Sequence, residues 1–502
     1  MASYGAEGPD REIELKFACG PEDLAVVLAA APAGDDETRE LISVYFDTAD
    51  LVLQKAGASL RVREHKGRRM QTLKRGRGFI REEHEAPIDG LAPDPALEPL
   101  PSLLPHGADL RPAFNVRVSR RQRTIRYKGA LIEMALDQGE VCGGERKSPI
   151  CEVELELKAG EPTMLFALAR ELSAAAPLYL AFDSKAALGQ ALVAGEPPAA
   201  IKGGHVQLDG EASAGVAFQA VARSALAQIA ANAALLRKTP SAEGVHQLRV
   251  GVRRLRSALT TFKPILEDEG LETLKTDLKW LSRNCERARS LDVFAEETLR
   301  PAEVADVQPA GLAALRDAID LARRAAWAHA AEASTSERFR ALMIDAAAWV
   351  ETGDWRGQPG ADAPIQPFAR RALKRHLKTL EKRGRAARGG DDLSRHHLRI
   401  EAKKLRYAAE GFTDLYGEKR VRRHLRHLRD LQESLGELND LVTATPLIAA
   451  LGLPSDAAFA AGELVGMKAA HKPQLIARAE KALDRLAAAE PFWTRQPSRF
   501  GT

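Results

Sequence analysis

Glu12-Ile13-Glu14-Leu15-Lys16-Phe17 alternates ionic and apolar residues one by one. Only a β-strand, whose successive side chains leave opposite faces, separates the two sets cleanly. A single run of this kind is an ordinary half-buried strand. Here the alternation returns at Leu60-Arg61-Val62-Arg63 and at Cys151-Glu152-Val153-Glu154-Leu155-Glu156-Leu157. Several strands therefore turn ionic residues of both signs toward one shared surface.

The 502 residues exceed what one core organises, so at least two domains are expected. Charge divides the same way: residues 1–200 hold 25 Lys+Arg against 31 Asp+Glu, leaving 48 against 38 for the remainder. That asymmetry predicts an acidic site upstream and a polyanion-facing surface downstream. Cys19, Cys142, Cys151 and Cys285 form no CxxC pair and read as scattered packing residues of a reducing compartment, which points to the cytoplasm. Met1 to Asp10 is polar and acidic without a signal-peptide core, and no run of ~18 uncharged apolar residues occurs, so neither export nor a membrane is expected.

In the first half, helices are predicted at 21–30 and 163–175, strands around 41–46 and 70–74, a turn at Gly76-Arg77-Gly78, and a Pro-rich loop over 91–110. Arg117, Arg120, Arg121, Arg123 and Arg126 crowd one strand, which requires anions or carboxylates opposite. Glu12, Glu14, Glu133, Asp137, Glu152 and Glu154 supply them, so an antiparallel sheet closed, or nearly closed, around a charged, wet interior is expected. Clustered carboxylates without His or Cys at metal spacing suit a hard cation such as Mg²⁺ or Mn²⁺. Arg and Lys aimed into the same space suit phosphate oxygens, and a chain of phosphates bridged by metal satisfies both sets. His65 and His84 have no evident pairing and read as surface residues.

Glu12-x-Glu14-x-Lys16, Leu60-Arg61-Val62-Arg63, Leu73-Lys74, Ile132-Glu133-Met134-Ala135-Leu136-Asp137, Cys151-Glu152-Val153-Glu154-Leu155-Glu156 and Asp183-Ser184-Lys185 together resemble the CYTH, or triphosphate tunnel metalloenzyme, family over residues 10 to 195. The resemblance implies an eight-stranded antiparallel tunnel that binds a triphosphate with divalent metal. It implies metal ligation by Glu12, Glu14, Asp137, Glu152 and Glu154, and phosphate binding by Lys16, Arg61, Arg63, Lys74, Arg120 and Lys185. Catalysis would rest on Glu12, Glu14, Lys16, Lys74 and Arg120. Arg121 and Arg123 adjoin Arg120, and a slip of one residue exchanges lumen for exterior. Glu156 fits either the lumen or the solvated end of its strand.

Gly195-Glu196-Pro197-Pro198 and Gly203-Gly204 mark a break, so 1–195 is expected as the tunnel domain and 196–212 as a linker. Past it the period turns helical. His246-Gln247-Leu248-Arg249-Val250-Gly251-Val252-Arg253-Arg254-Leu255-Arg256 matches His396-His397-Leu398-Arg399-Ile400-Glu401-Ala402-Lys403-Lys404-Leu405-Arg406 at an offset of 150. Two tandem helical copies, about 213–350 and 363–490, are expected, followed by a tail over 491–502. His246, Arg249, Arg253 and Arg256 share one helix face, as do His396, Arg399, Lys403 and Arg406, opposite an apolar stripe. Like charges at this spacing repel by ~0.2–0.5 kcal/mol per pair, repeated in both copies without local relief, which favours a polyanion site over a merely solvated face. These motifs, with Leu435-Gly436-Glu437-Leu438-Asn439-Asp440, resemble the CHAD family, which implies polyphosphate binding. The first copy departs from the pattern: Cys285-Glu286 replaces Leu-Gly, and Ser290 stands where Asp is expected.

The expected whole is thus an α+β two-domain chain. The N-terminal antiparallel β tunnel with flanking helices would hydrolyse inorganic triphosphate with Mg²⁺ or Mn²⁺, and the C-terminal all-α bundle would bind polyphosphate, with association to polyphosphate granules as a corollary. The alternatives are a non-enzymatic polyphosphate-binding protein, or a tunnel enzyme acting on nucleoside or thiamine triphosphate, including adenylate cyclase chemistry. Nucleic acid is disfavoured because the basic faces carry almost no aromatic residues for base stacking. Oligomeric state is not legible.

Overall fold

The computed structural model describes residues 11–65, 67–76, 79–304 and 309–494. Met1–Asp10, the Arg77-Gly78 part of the glycine-rich turn and the end of the tail from Arg495 lie outside the described residues, as do the side chains of Glu12 and His65. The chain divides into two compact units, one running to Ala199 and including Ser336–Ala348, the other taking Ala200–Thr335 and Trp349 onward.

The first unit is built in the order β1 (Arg11–Ala18), α1 (Asp23–Ala30), β2 (Gly34–Asp47), α2 (Val52–Lys55), β3 (Ala58–His65), β4 (Arg68–Arg75), β5 (Ile80–Ile88), β6 (Arg111–Tyr127), β7 (Ala130–Gly143), β8 (Arg146–Ala159), α3 (Pro162–Ala175), β9 (Tyr179–Ala181) and α4 (Lys185–Ala194). The strands form one antiparallel sheet in the order β5-β4-β3-β2-β6-β7-β8-β1-β9, and β5 pairs with β1 as well. Among the described residues the sheet has nine strands, one more than the eight of the expected tunnel. The reason lies on β1: β5 pairs with it only at Arg11–Ile13, so the backbone groups of Lys16–Ala18 are left for β9 to satisfy. A three-residue strand has no alternation of its own, and the sequence does not announce it.

Alternation sets the two faces as expected. Leu15, Phe17, Val153 and Leu155 are fully buried on the face that α3 covers. Burial of each such side chain stabilises by roughly 1.5–3 kcal/mol. The opposite face carries Lys16, Glu152 and Glu154. Farther along that same face the residues turn apolar: Leu41, Tyr45, Phe114, Val116, Val118, Val141 and Ile150 cluster with Ala186, and Leu188 and Leu192 of α4 pack against them. The fit is close at Gly189, where an added Cβ would lie 2.2 Å from a Phe114 ring carbon.

The second unit is helical: α5 (Ala214–Lys238), α6 (Ala242–Thr261), α7 (Gly270–Asn284), α8 (Glu286–Phe294), α9 (Arg300–Glu303), α10 (Leu312–Thr335), the end of α11 (Glu337–Thr352), α12 (Ile365–Ala387), α13 (Asp392–Gly411), α14 (Glu418–Ala449), α15 (Ser455–Ala470) and α16 (Lys472–Ala488). The caps explain the boundaries of the two basic helices. Ser241 Oγ accepts from Gly244 N ahead of α6, and Asp391 Oδ1 accepts from Ser394 N ahead of α13. Both helices start and both stop 150 residues apart. At the centre of the unit Phe262 stacks on Phe368 with centroids 5.0 Å apart and meets Phe218 and Phe412 at 5.5 and 5.7 Å. Among the described residues no helix is long and apolar enough to cross a membrane.

Candidate active site and polyanion-binding face

Register carries the charged side chains to one another. Arg120 on β6 stands opposite Asp137 on β7, which stands opposite Glu152 on β8, while Lys16 on β1 faces Glu154. Arg120 forks onto Asp137, with Nε to Oδ1 at 2.7 Å and Nη2 to Oδ2 at 2.6 Å, and also reaches Glu154. Lys185 arrives from a helix. Ser184 Oγ caps α4 by accepting from Ala187 N, and this start places the Lys185 ammonium 2.8 Å from both Asp137 and Glu154, in contact with Glu152 as well. Lys16 donates to the Asp183 carbonyl and lies 3.6 Å from Glu152.

Carboxylate oxygens of Asp137, Glu152 and Glu154 lie within 4.8 Å of one another. Burial pushes the Glu154 pKa up, yet Lys185, Arg120 and Lys16 outweigh it and hold the carboxyl well below its ordinary range. Asp137, fully buried, is likewise lowered, with Lys185 and Arg120 opposing the burial. The Lys185 pKa is correspondingly well above the usual ammonium value because three carboxylates overcome its burial. Glu14 aligns with Glu156 on β8 rather than with this triad.

A more basic region continues along the same face. Arg61 lies 3.7 Å from Glu83 and 3.9 Å from Glu85, and Lys74 3.1 Å from Glu83. Thr72 donates to Glu85 at 2.8 Å. Arg63 donates through Nε to Ser43 Oγ at 3.0 Å. Burial, then the charges of Arg61 and Arg120, push its pKa down to about 10. Arg121 and Arg123 turn to the other face, where both bond Asp36 and Arg123 also donates to carbonyls at the end of α1. The single-residue ambiguity in this strand thus resolves with Arg120 inward. Ser43 and Tyr45 carry no charge and are not among the residues that the alternation marks. Cys19 and Cys151, read as scattered, in fact lie across from one another with sulfurs 3.7 Å apart.

In the helical unit α6 and α13 pack together. Arg253 of α6 lies over the Tyr407 ring at 5.7 Å, and Arg406 of α13 over the same ring at 5.1 Å. The Nε atoms of Arg253, Arg399 and Arg406 are buried with no hydrogen-bond partner. Burial, then Arg399 and Arg253, push the Lys403 pKa down to about 6, against a weaker pull from Asp440. The copies differ as their sequences do. His396 Nδ1 lies 2.8 Å from Asn439 Oδ1, whereas His246 is lowered by burial and then by Arg289, and Arg249 donates to the Ser282 carbonyl. Arg256 is exposed. The expectation that repulsion goes unrelieved fails in the second copy, where Lys404 pairs with Glu401 at 2.8 Å and Arg406 approaches Glu410 at 3.7 Å.

The chain thus joins a strand face that carries an acidic triad and a basic patch to a helical unit in which two basic helices pack together. Residues 10–188 match the family model of the CYTH domain and residues 220–449 that of the CHAD domain, so the chain is a CYTH domain followed by a CHAD domain. Among curated proteins it is 30% identical over 201 residues to an inorganic triphosphatase of Haemophilus influenzae, covering 36% of this chain and 55% of that relative's length. Among solved structures it is similar to the CHAD domain from the plant Ricinus communis, with 32% identity and a TM-score of 0.52 over 58% of this chain and 98% of that one. A Hippeastrum protein described as a putative adenylyl cyclase with a dominant triphosphatase activity aligns at 18% identity and a TM-score of 0.29, over 36% of this chain and 95% of its own.

Proposed function

We propose that the strand unit is a metal-dependent inorganic triphosphatase and that the helical unit binds polyphosphate. The observation that carries the first part is the convergence of Asp137, Glu152 and Glu154 on one ammonium, with Arg61 and Arg63 farther along the same face. The Lys185 ammonium marks a place where three carboxylates already hold a cation, and their oxygens suit Mg²⁺ or Mn²⁺. In this reading the β5–β1 pairing closes eight of the nine strands into a tunnel. Glu12 and Glu14 complete the metal ligands from β1, and Lys16, Lys74, Arg61, Arg63, Arg120 and Lys185 hold phosphate oxygens. The bound metal would supply charge neutralisation and an acidified water. The arginines orient the chain of phosphates and stabilise the departing oxyanion. Phosphate release from triphosphate with Mg²⁺ or Mn²⁺ is expected from the intact chain and not from a Glu12→Ala/Glu14→Ala variant. Equal release by both, or release only from ATP or thiamine triphosphate, would overturn this assignment.

For the helical unit, the offset of 150 shared by helix ends and basic residues supports two tandem copies. The buried Nε atoms of Arg253 and Arg399, which have no hydrogen-bond partner, support a polyanion as the missing partner. A protein that holds polyphosphate in this way would be found in the cytoplasm, on polyphosphate granules. A pH effect follows. With its free pKa near 6, Lys403 is largely neutral at pH 7.5, and a bound polyanion raises that pKa. Binding therefore takes up a proton, and affinity falls as pH rises above about 6. Calorimetric titration with polyphosphate at pH 7.5 in two buffers of different ionisation enthalpy should show proton uptake that Lys403→Arg removes. Uptake unchanged in that variant would refute the linkage.

A further inference from the structure

Ser43 and Tyr45 stand on β2 directly opposite Arg63 and Arg61 on β3, in register. The Ser43 hydroxyl is used on the arginine it faces. Ser43 Oγ accepts from Arg63 Nε at 3.0 Å, and Tyr45 stands across the ladder from Arg61. Both β2 residues are buried, at 2% and 6% exposure, so neither side chain is open to bulk water. The Tyr45 ring is itself held, stacked on Phe114 at 4.6 Å and 15°, and Phe114 rests on the glycine gap in α4.

An arginine presents five N–H donors in a planar fork, and it binds phosphate well only when one edge of that fork is aimed at the ligand. Using Nε on a fixed acceptor orients the guanidinium plane and leaves the Nη atoms for an anion. A long side chain without such a hold loses rotamer freedom when it captures a ligand, which weakens binding.

We propose that Ser43 and Tyr45 are positioning residues for triphosphate, aiming the Arg63 and Arg61 guanidinium groups at the phosphate chain. The inference rests on the triphosphatase reading above and assigns to β2 a role that strand's apolar neighbours do not advertise. Ser43 and Tyr45 act through the arginines, so their effect must vanish when the arginine does.

The test is a double-mutant cycle on the full chain, read by calorimetric binding of inorganic triphosphate with Mg²⁺ and by KM and kcat for phosphate release. Ser43→Ala is expected to weaken triphosphate binding about tenfold and raise KM more than it lowers kcat, while Ser43→Thr, which keeps the hydroxyl, stays close to the wild type. In an Arg63→Lys background, where no guanidinium Nε–H remains, Ser43→Ala should add nothing. Tyr45→Phe, read against Arg61→Lys, repeats the cycle at the second pair and serves if Ser43→Ala fails to fold. Wild-type affinity in both Ser43→Ala and Tyr45→Phe would overturn the proposal, as would losses that add in full to those of the arginine variants, because a structural role is additive. A wild-type chain that neither binds nor hydrolyses triphosphate would bring down the triphosphatase reading and the proposal together; the other outcomes leave that reading standing.

Discussion

Replacing Glu152 and Glu154 together by glutamine is expected to lower phosphate release from triphosphate by a factor of about 10³ or more. The estimate combines loss of a hard-cation site with loss of the charge that fixes Arg120, effects that cost on the order of 10²–10³ each when a single electrostatic group is removed. Amide oxygens are uncharged and hold a divalent cation poorly, so of the triad only Asp137 remains to attract it. Stability moves too. Lys185 and Arg120 keep Asp137 but lose their other carboxylates, and a broken buried pair costs roughly 3–5 kcal/mol, offset in part because mutual repulsion among the carboxylates is also removed. The sign with pH is fixed by the lowered pKa of Glu154. Its stabilisation is present above its ordinary value of 4.5 and is lost as pH falls through the depressed one, so the wild type should lose more stability on acidification than the double variant. Thermal denaturation between pH 7 and 3, alongside the rate assay, measures both effects. A double variant that hydrolyses triphosphate at the wild-type rate would remove the triad from the chemistry.

Reversing two charges on α13, Arg399→Glu with Lys403→Glu, should weaken polyphosphate binding by a factor of roughly 100 or more and flatten its dependence on salt. Each cation that meets a phosphate releases counterions, so the slope of log affinity against log salt counts the contacts. Two reversals remove two contacts and also place carboxylates near Asp440, the acid that already faces Arg399 and Lys403. Titrations at several salt concentrations would show it, with circular dichroism to verify the helices. Affinity and slope both unchanged would move the polyanion to another face.

What the sequence made visible follows from what alternation encodes. Glu152 and Glu154 on one strand, and Arg61 and Arg63 on another, stand at every second position around an intervening valine, so the shared face of each pair is readable before any contact is known. Which arginine of 117–126 points inward is not readable in that way, because Asp36, the outward partner of Arg121 and Arg123, is brought there only by the pairing of β2 with β6. Cys19 and Cys151 meet for the same reason, through the register of β1 with β8. Ser43 and Tyr45 look like ordinary residues of an apolar strand, and their hydroxyls gain meaning only from the arginines across the ladder. In the helical half, the offset of 150 between the basic motifs reappears in the ends of α6 and α13, which have equal lengths. Glu401 and Glu410 were in view as well, but the charge pattern of the first copy does not extend to the second.

Lys185 differs from the other charged residues around the triad in belonging to a helix rather than a strand. Its ammonium reaches Asp137, Glu152 and Glu154 only when α4 has seated Leu188 and Leu192 against the apolar inward residues. Docking of a greasy helix and neutralisation of the triad are thereby one cooperative event. A deletion ending at Ser184 would accordingly strip the apolar inward residues of their cover and the triad of one of its three cations at a single stroke.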